Sequence, residues 1–278
     1  MSVTFGQRFQ QRAAQHGSLC VGMDPHAGIL DAWDLEYNVD GLRRFSEICV
    51  AAFADTACVV KPQVAFYEAF GSAGFAVLEE SIAALRQSGV LVISDAKRGD
   101  IGSTMAGYAQ AWLGDGAPLE SDAVTVSPWL GVDALQPVFE LAERNNKGAI
   151  VLAATSNPEA PSVQQSHTTA GESLVQSVVD RVAELNAPHI NPDGTGAGNV
   201  GVVVGATVAQ PPILDKVGGM ILMPGVGAQG GSMDDVRRIA GQAFNLASPN
   251  VSRGVLKHGP DIANLQAAVR EFSEKLLK

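Results

Sequence analysis

The chain has 278 residues, of which 46 % are hydrophobic and 17 % are charged, and its formal net charge is −10. This length is close to the roughly 250 residues of a (β/α)8 barrel and fits one large domain over residues 1–278 with a substantial core. The acidic balance argues against a general nucleic-acid binder, which would normally present a basic face, and it leaves room for a local anion site.

The cysteines and the apolar runs indicate the compartment. Cys20, Cys49 and Cys58 are odd in number and lack CxxC spacing, so neither a disulfide framework nor a zinc site is expected. Residues 1–9 show no apolar signal core, and no apolar run approaches the roughly 18 residues of a membrane helix. We therefore expect a cytoplasmic protein with no membrane partner.

Short apolar runs alternate with loops and helix-period segments along the chain, which is typical of βα units. Predicted strands cover residues 18–22, 58–61, 90–95, 123–126, 149–153, 200–204, 220–223 and 244–247. Predicted helices cover residues 42–53, 75–85, 132–144, 172–185, 233–243 and 262–276. Two polar segments with Pro or Gly, 157–171 and 186–198, are predicted loops. The order predicts an α/β fold, a single (β/α)8 TIM barrel.

The segment Asp95–Asp100, with the sequence DAKRGD, stands where the third predicted strand ends. Side chains two residues apart in a strand point the same way, so Asp95 and Lys97 should share one pocket. A lysine held between carboxylates keeps its proton, which suits a proton donor rather than a nucleophilic amine. An isolated DxKxxD is more often a surface ion-pair cluster, and its position at a strand end favours the functional interpretation.

Other polar residues directly follow predicted strands, at the rim where barrels build their active sites. Lys61 ends an apolar strand, where an unpaired ammonium would be costly, and Asp24 stands before a proline that alone would indicate only a turn. The glycine-rich segment 224–231 could cradle an anion through its backbone N–H groups, and Arg253 adds a guanidinium. Loops after the seventh and eighth strands commonly bind phosphate, so a phosphorylated substrate is predicted.

These residues together resemble a known family. Asp95-x-Lys97-x-x-Asp100-Ile101, with Thr104 beyond it, is similar to the signature of the orotidine 5′-phosphate decarboxylases. The further matching segments, in the expected order, are Met23-Asp24-Pro25, Lys61, Thr155-Ser156-Asn157-Pro158, the run from Pro224 to Gln229, and Arg253. The segments Ser94–Asp100, SDAKRGD, and Val126–Gly131, VSPWLG, resemble those of the longer bacterial and mycobacterial branch of this family.

The resemblance implies a decarboxylation of orotidine 5′-monophosphate to uridine 5′-monophosphate and CO2, in de novo pyrimidine biosynthesis, without cofactor or metal. Lys97 would protonate the C6 carbanion that the departing CO2 leaves behind. Asp95 would lie near the departing carboxylate, while Lys61 and Asp100 hold Lys97 in line.

The resemblance also implies substrate contacts. Asp24 would bind the ribose hydroxyls and Ser156 the pyrimidine edge. Gln229 and Arg253 would bind the phosphate, with Pro224 at the start of the same glycine-rich loop. Some relatives add a tyrosine from the lid loop, and residues 230–235 contain none.

A homodimer is implied as well, because Asp100, Ile101 and Thr104 would enter the neighbouring subunit's site. Two alternatives remain from the residues themselves. One is a related sugar-phosphate decarboxylase or aldolase of the same barrel superfamily, for which magnesium dependence would be diagnostic. The other is a non-catalytic phosphate-ligand sensor, which would have no use for a lysine between carboxylates.

Overall fold

The fold is a closed barrel of eight parallel strands, in which each strand pairs with its neighbours in sequence and the eighth returns to the first. The computed structural model describes residues 3–227 and 230–277. The strands are β1 Cys20–Met23, β2 Val59–Pro62, β3 Leu91–Arg98, β4 Ala123–Val126, β5 Gly148–Ala154, β6 Val200–Val204, β7 Ile221–Pro224 and β8 Ala247–Val251. The predicted TIM barrel is therefore confirmed.

Helices follow the strands around the outside of the barrel. They are α1 Phe5–His16, α2 Ala27–Ala32, α3 Val39–Phe53, α4 Ala65–Glu68, α5 Gly71–Gln87, α6 Gly102–Leu113, α7 Gln136–Asn145, α8 Ala160–Gln164, α9 Leu174–Asn186, α10 Met233–Ala240, α11 Arg253–Leu256 and α12 Ile262–Leu277. Short 3-10 helices lie at Val132–Leu135, Ala187–His189 and Gly241–Leu246. In the described part of the chain, no helix is both long and apolar enough to cross a bilayer.

Local sequence accounts for several element boundaries. Thr4 and Gln7 form a capping box at the start of α1, and Ser232 and Asp235 form another at the start of α10. Strands such as β6 are buried along their whole length, because one face points into the barrel and the other lies under helices. This is why the strands appear in the sequence as unbroken apolar runs.

The eighth predicted strand, over residues 244–247, is wrong in position. Residues 244–246 belong to a 3-10 helix, and β8 begins at Ala247 with the sequence ASPNV. Its polar side chains are buried because β1 and the preceding residues accept their hydrogen bonds: Ser248 Oγ donates to the Ser18 carbonyl at 2.7 Å, and Asn250 Nδ2 to the Cys20 carbonyl at 3.2 Å. The predicted loops also contain short helical turns, α8 in the first and Ala187–His189 in the second.

Aromatic side chains from α1 close the barrel at the end where the strands begin. Phe5 and Phe9 are fully buried in a cluster with inward-facing strand residues, including Leu91 and Ile150. Gly148 at the start of β5 has no room for a side chain, since a Cβ there would lie 2.6 Å from the Phe5 ring. The barrel is therefore a packed core at this end and offers its open end to solvent.

A chain of ion pairs surrounds the same closed end. Arg8 contacts Asp122 at 2.8 Å, Arg86 contacts Glu120 at 2.7 Å, and the buried Lys147 ammonium contacts Glu120 at 2.9 Å. Burial alone would raise the pKa of Glu120, but its hydrogen bonds, that from Lys147 foremost, lower that pKa to about 2. These pairs join α1, α5 and the starts of β4 and β5, so they stabilise the fold away from the rim.

Replacement of Phe9 by alanine tests this closure. Phe9→Ala should lower the free energy of unfolding by about 3–5 kcal/mol, because it opens a cavity in a core that cannot collapse around a closed sheet. Phe9→Leu, which keeps most of the volume, should cost much less. Urea titration of both variants measures the difference, and equal, small losses would show that α1 does not close the barrel.

Candidate active site at the carboxyl end of the barrel

The carboxyl ends of β2 and β3 bring three of the predicted site residues into direct contact. Lys61 lies in β2, and Asp95 and Lys97 lie in β3. Lys61 Nζ is 2.8 Å from Asp95 Oδ2, and Lys97 Nζ is 2.7 Å from Asp95 Oδ1. We call these three residues the Lys–Asp–Lys cluster.

The Asp95 carboxylate receives four hydrogen bonds, which is its full capacity. Oδ1 accepts from Lys97 Nζ and, at 2.8 Å, from Thr125 Oγ1. Oδ2 accepts from Lys61 Nζ and, with the Gln63 amide oriented so that its nitrogen faces the carboxylate, from Gln63 at 2.8 Å. In the same orientation the Gln63 oxygen accepts from Lys97 Nζ at 3.2 Å. The carboxylate is thus held on both sides.

Burial and charge act against each other in this cluster. Burial favours the neutral form of Asp95, but the ammonium groups of Lys61 and Lys97 outweigh it and hold the pKa of Asp95 well below its ordinary value. Burial likewise would lower the pKa of Lys61, whose side chain is 6 % exposed, but the carboxylates of Asp95 and Asp24 raise it. Both buried groups therefore stay charged at neutral pH.

Lys97 reaches the rim through an irregularity in β3. The β3–β4 register shifts between Ser94 and Arg98, so that three residues of β3 lie opposite Thr125 alone. Lys97 has a φ of +49°, in the left-handed region that residues with a Cβ seldom adopt. Asp95 and Lys97 do share a pocket as expected, but a bulge brings them together and not regular strand alternation. The Lys97 side chain remains 44 % exposed at the mouth of the barrel.

Asp100, Ile101 and Thr104 lie beyond the cluster, where the chain leaves β3 and enters α6. Asp100 Oδ1 accepts a hydrogen bond from the Ile101 backbone N–H at 2.7 Å. Among the residues that the structure describes, Asp100 makes no ion pair or hydrogen bond with Lys97. Ile101 and Thr104 are exposed. A single chain therefore does not bring these three residues to its own Lys–Asp–Lys cluster.

Asp24 and Arg253 follow neighbouring strands, β1 and β8, which pair with each other. Asp24 Oδ1 and Ser252 Oγ are buried without a hydrogen-bond partner, so this part of the rim contains two unsatisfied polar atoms. Arg253 is exposed, and no carboxylate of the described residues lies within ion-pair distance of its guanidinium. Arg253 is therefore a candidate anion ligand at this part of the rim.

The glycine-rich loop begins at Pro224, the last residue of β7. Gly225, Gly227 and Gly230 have φ values of +102°, +77° and +88°, which glycine alone adopts readily. Gln229 lies outside the described residues. The loop stands beside β8, so Pro224 and Arg253 belong to the same part of the rim.

Ser156 lies across the rim, after β5. It is exposed and lines a cavity of about 330 Å³ together with residues of the loop after β6. Thr155 fixes the start of this loop, because its backbone N–H donates to Gln164 Oε1 at 2.9 Å and its hydroxyl donates to Asn157 Oδ1 at 2.7 Å. None of the three residues of the Lys–Asp–Lys cluster lines this cavity, so the structure does not bring Ser156 to the cluster.

Gln63 and Thr125 are site residues that the sequence analysis missed. Gln63 stands two residues after Lys61, and Thr125 is the one polar residue in the apolar run of β4. A polar residue inside an otherwise apolar, fully buried strand was the available signal, because such a group requires a partner. Nothing in the sequence identified Asp95 as that partner.

Comparison with known proteins identifies the family to which the chain is similar. The family model "Orotidine 5′-phosphate decarboxylase / HUMPS family" matches residues 17–268. An orotidine 5′-phosphate decarboxylase of Corynebacterium glutamicum is 60 % identical over 267 residues, 96 % of this chain and 95 % of the relative. That of Corynebacterium efficiens is 60 % identical over 271 residues, 98 % and 96 %.

Solved structures show the same similarity. A Streptomyces avermitilis structure, described as a candidate orotidine 5′-phosphate decarboxylase, superposes with a TM-score of 0.94 at 46 % identity, covering 99 % of this chain and 95 % of that one. The Leishmania donovani OMP decarboxylase superposes with a TM-score of 0.76 at 30 % identity, covering 99 % and 98 %.

Replacement of Asp95 by asparagine should lower the free energy of unfolding at pH 7 by about 3–5 kcal/mol, because it leaves the buried Lys61 ammonium without its carboxylate. The folded-state pKa of Asp95 is depressed, so the wild-type advantage should be constant above about pH 4 and shrink as the pH falls further. Urea titrations between pH 7 and pH 3.5 measure this difference.

Asp133→Asn is the matched control, because Asp133 pairs with Arg181 at the surface and should contribute less than about 1 kcal/mol. Equal losses for the two variants, or an Asp95 contribution that grows on acidification, would contradict the electrostatic account.

Proposed function

The chain belongs to the orotidine 5′-phosphate decarboxylase / HUMPS family, and we propose that its rim converts orotidine 5′-monophosphate to uridine 5′-monophosphate and CO2, as a carboxy-lyase of pyrimidine biosynthesis. The observation that carries the proposal is the Lys97 ammonium held on Asp95 at the open end of the barrel. It places a proton donor at the rim where a phosphorylated ligand could also be bound.

In this reaction the bond between C6 and the carboxylate breaks, and its electron pair stays on C6. The Lys97 ammonium stabilises that developing carbanion, because it is already oriented before the charge appears. One Lys97 Nζ proton then moves to C6, and the neutral amine takes a proton from water. The sum is loss of CO2 and uptake of one proton.

Asp95 and Lys61 support this donor. Asp95 would lie beside the substrate carboxylate and remain ionised, because two ammonium groups keep its pKa low. Lys61 contacts Asp95 and not Lys97, so it would act by orienting Asp95. This role differs from the direct hold on Lys97 that the resemblance implies.

The remaining rim residues would bind the nucleotide. Asp24, with its unpartnered carboxylate oxygen, would take the ribose hydroxyls, and Ser156 the pyrimidine edge. Arg253, Gln229 and the loop that starts at Pro224 would take the phosphate, whose oxygens match a guanidinium fork. Phosphate binding far from C6 can drive closure of the loop over the reacting atoms.

A homodimer would complete the site. Asp100 does not pair with Lys97 of its own chain, and Ile101 and Thr104 are exposed, so the three residues would reach the cluster of a second subunit. Ile101, Trp129 and Leu130 are 61 %, 73 % and 54 % exposed, and they follow the adjacent strands β3 and β4. Exposed apolar side chains grouped in this way are typical of a protein–protein interface. A cytoplasmic location and activity without metal complete the proposal.

Loss of the orotate absorbance on mixing the purified protein with orotidine 5′-monophosphate tests the function directly. Turnover that survives EDTA supports it. Turnover of a sugar phosphate that EDTA abolishes, with none of the nucleotide, would favour the related sugar-phosphate enzyme. Binding of the nucleotide without turnover would favour the sensor.

Lys97→Ala should reduce kcat by at least a thousandfold while uridine 5′-monophosphate still binds, because the lost interaction is made chiefly with the carbanion. Lys216→Ala, which removes an exposed lysine near the opposite end of the barrel, is the control and should turn over normally. A Lys97→Ala enzyme with near wild-type kcat would exclude Lys97 as the proton donor.

Mixing inactive variants tests whether Asp100 acts across the dimer. Lys97→Ala and Asp100→Ala homodimers should each be severely impaired. In a hybrid dimer one site collects both substitutions and the other regains both native residues. With free exchange of an equal mixture half the dimers are hybrids, so about one quarter of all sites should recover. Unchanged activity, with hybrids detected by native mass spectrometry, would place Asp100 in its own subunit's site.

A further inference from the structure

We propose that Thr125 is a positioning residue that holds Asp95 and Lys97 in their reactive arrangement. Its hydroxyl donates to Asp95 Oδ1 at 2.8 Å and accepts from the Lys97 backbone N–H at 2.9 Å. Thr125 is fully buried, so it acts through these two residues and not on the substrate. The inference rests on the proposed function and adds a residue to it.

The β3 bulge explains why a hydroxyl is needed at this position. Three residues of β3 lie opposite Thr125 alone, so the backbone groups of β4 are too few to pair with them. A backbone N–H left without an acceptor in this setting would be costly. The side chain of Thr125 provides the acceptor that the β4 backbone lacks, and Lys97 receives its hydrogen bond.

The same hydroxyl fixes an unfavourable backbone conformation. Lys97 has a φ of +49°, which a lysine adopts only where its surroundings impose it. The bond from the Lys97 N–H to Thr125 holds the peptide in this orientation. The other end of the side chain, Nζ, is held by Asp95 Oδ1, to which Thr125 also donates. The three groups form a closed ring that places the ammonium.

A hydroxyl is the one small group that can close this ring. It donates one hydrogen bond, to Asp95, and through a lone pair it accepts one from the Lys97 backbone N–H. Valine has nearly the same shape as threonine but offers neither, and serine offers both without the methyl group. Substitution by valine and by serine therefore separates the hydrogen bonds from the packing.

Thr125→Val should lower kcat for orotidine 5′-monophosphate by about 100-fold and change KM by less than about threefold, because displacement of a reacting group by about 1 Å has effects of this size. Thr125→Ser should recover kcat to within about fivefold of wild type. A purely structural role would lower stability in both variants without this split between kcat and KM.

Thr56→Val is the matched control. Thr56 Oγ1 donates to the Ala52 carbonyl at 2.8 Å at the end of α3, so this variant loses a similar hydrogen bond away from the rim. It should retain wild-type kcat. A Thr125→Val kcat within threefold of wild type, or an equal loss in Thr125→Ser, would overturn the inference.

Hydrogen exchange of the Lys97 amide provides a measurement that does not depend on turnover. In protein labelled with 15N-lysine, this amide should exchange slowly in wild type and Thr125→Ser, and at least tenfold faster in Thr125→Val. Exchange in the wild type at the rate of an unprotected amide overturns the inference even if Thr125→Val does not fold. If the Lys97 amide of the wild type exchanges slowly but the protein does not decarboxylate the nucleotide, the proposed function is refuted. The hydrogen bond between Lys97 and Thr125 would still be supported.

Discussion

The carboxylate of Asp95 is the group on which the arrangement of the rim depends. It is nearly buried between two ammonium groups, and a buried charge is tolerated only when it is paired and hydrogen-bonded. Three of its four donors come from three adjacent strands: Lys61 from β2, Lys97 from β3 and Thr125 from β4. They meet only when these strands pair in the observed register, so the charge cluster exists only in the closed barrel.

The two ends of the barrel differ in how they contribute to stability. At the closed end, Phe5 and Phe9 fill the interior, and a chain of ion pairs around Lys147 ties the surrounding elements together. At the open end, Lys97 has an unfavourable backbone angle and Asp24 has a buried oxygen without a partner. Both destabilising features, the strained backbone and the unsatisfied oxygen, lie at the end where a ligand would bind. The packing and ion pairs at the closed end offset their cost in folding free energy.

The sequence predicts the barrel well because all eight strands are largely buried, and in most of these strands the buried residues are mainly apolar. It fails for β8, where Ser248 and Asn250 are polar and yet buried, because their hydrogen bonds go to residues more than 200 positions away. The same contrast, between local sequence patterns and contacts with distant residues, applies to the site. Asp95 and Lys97 are neighbours in sequence and can be found there, whereas Gln63 and Thr125 reach Asp95 from the adjacent strands, far from it in sequence, and no local pattern predicts those contacts.

The residues after the β3 bulge show why Lys97 contacts Asp95 and not Asp100 within the described chain. After Lys97, the side chain of Arg98 points to the outside of the barrel, where its guanidinium pairs with Glu68 and lies 5.8 Å from the centre of the Trp112 ring. The chain then leaves the rim, and Asp100 turns to its own backbone. This course of the chain therefore leaves Asp100 without an ion pair to Lys97. The two-subunit site proposed above would supply a second carboxylate to this ammonium, and the mixing of Lys97→Ala and Asp100→Ala dimers tests it.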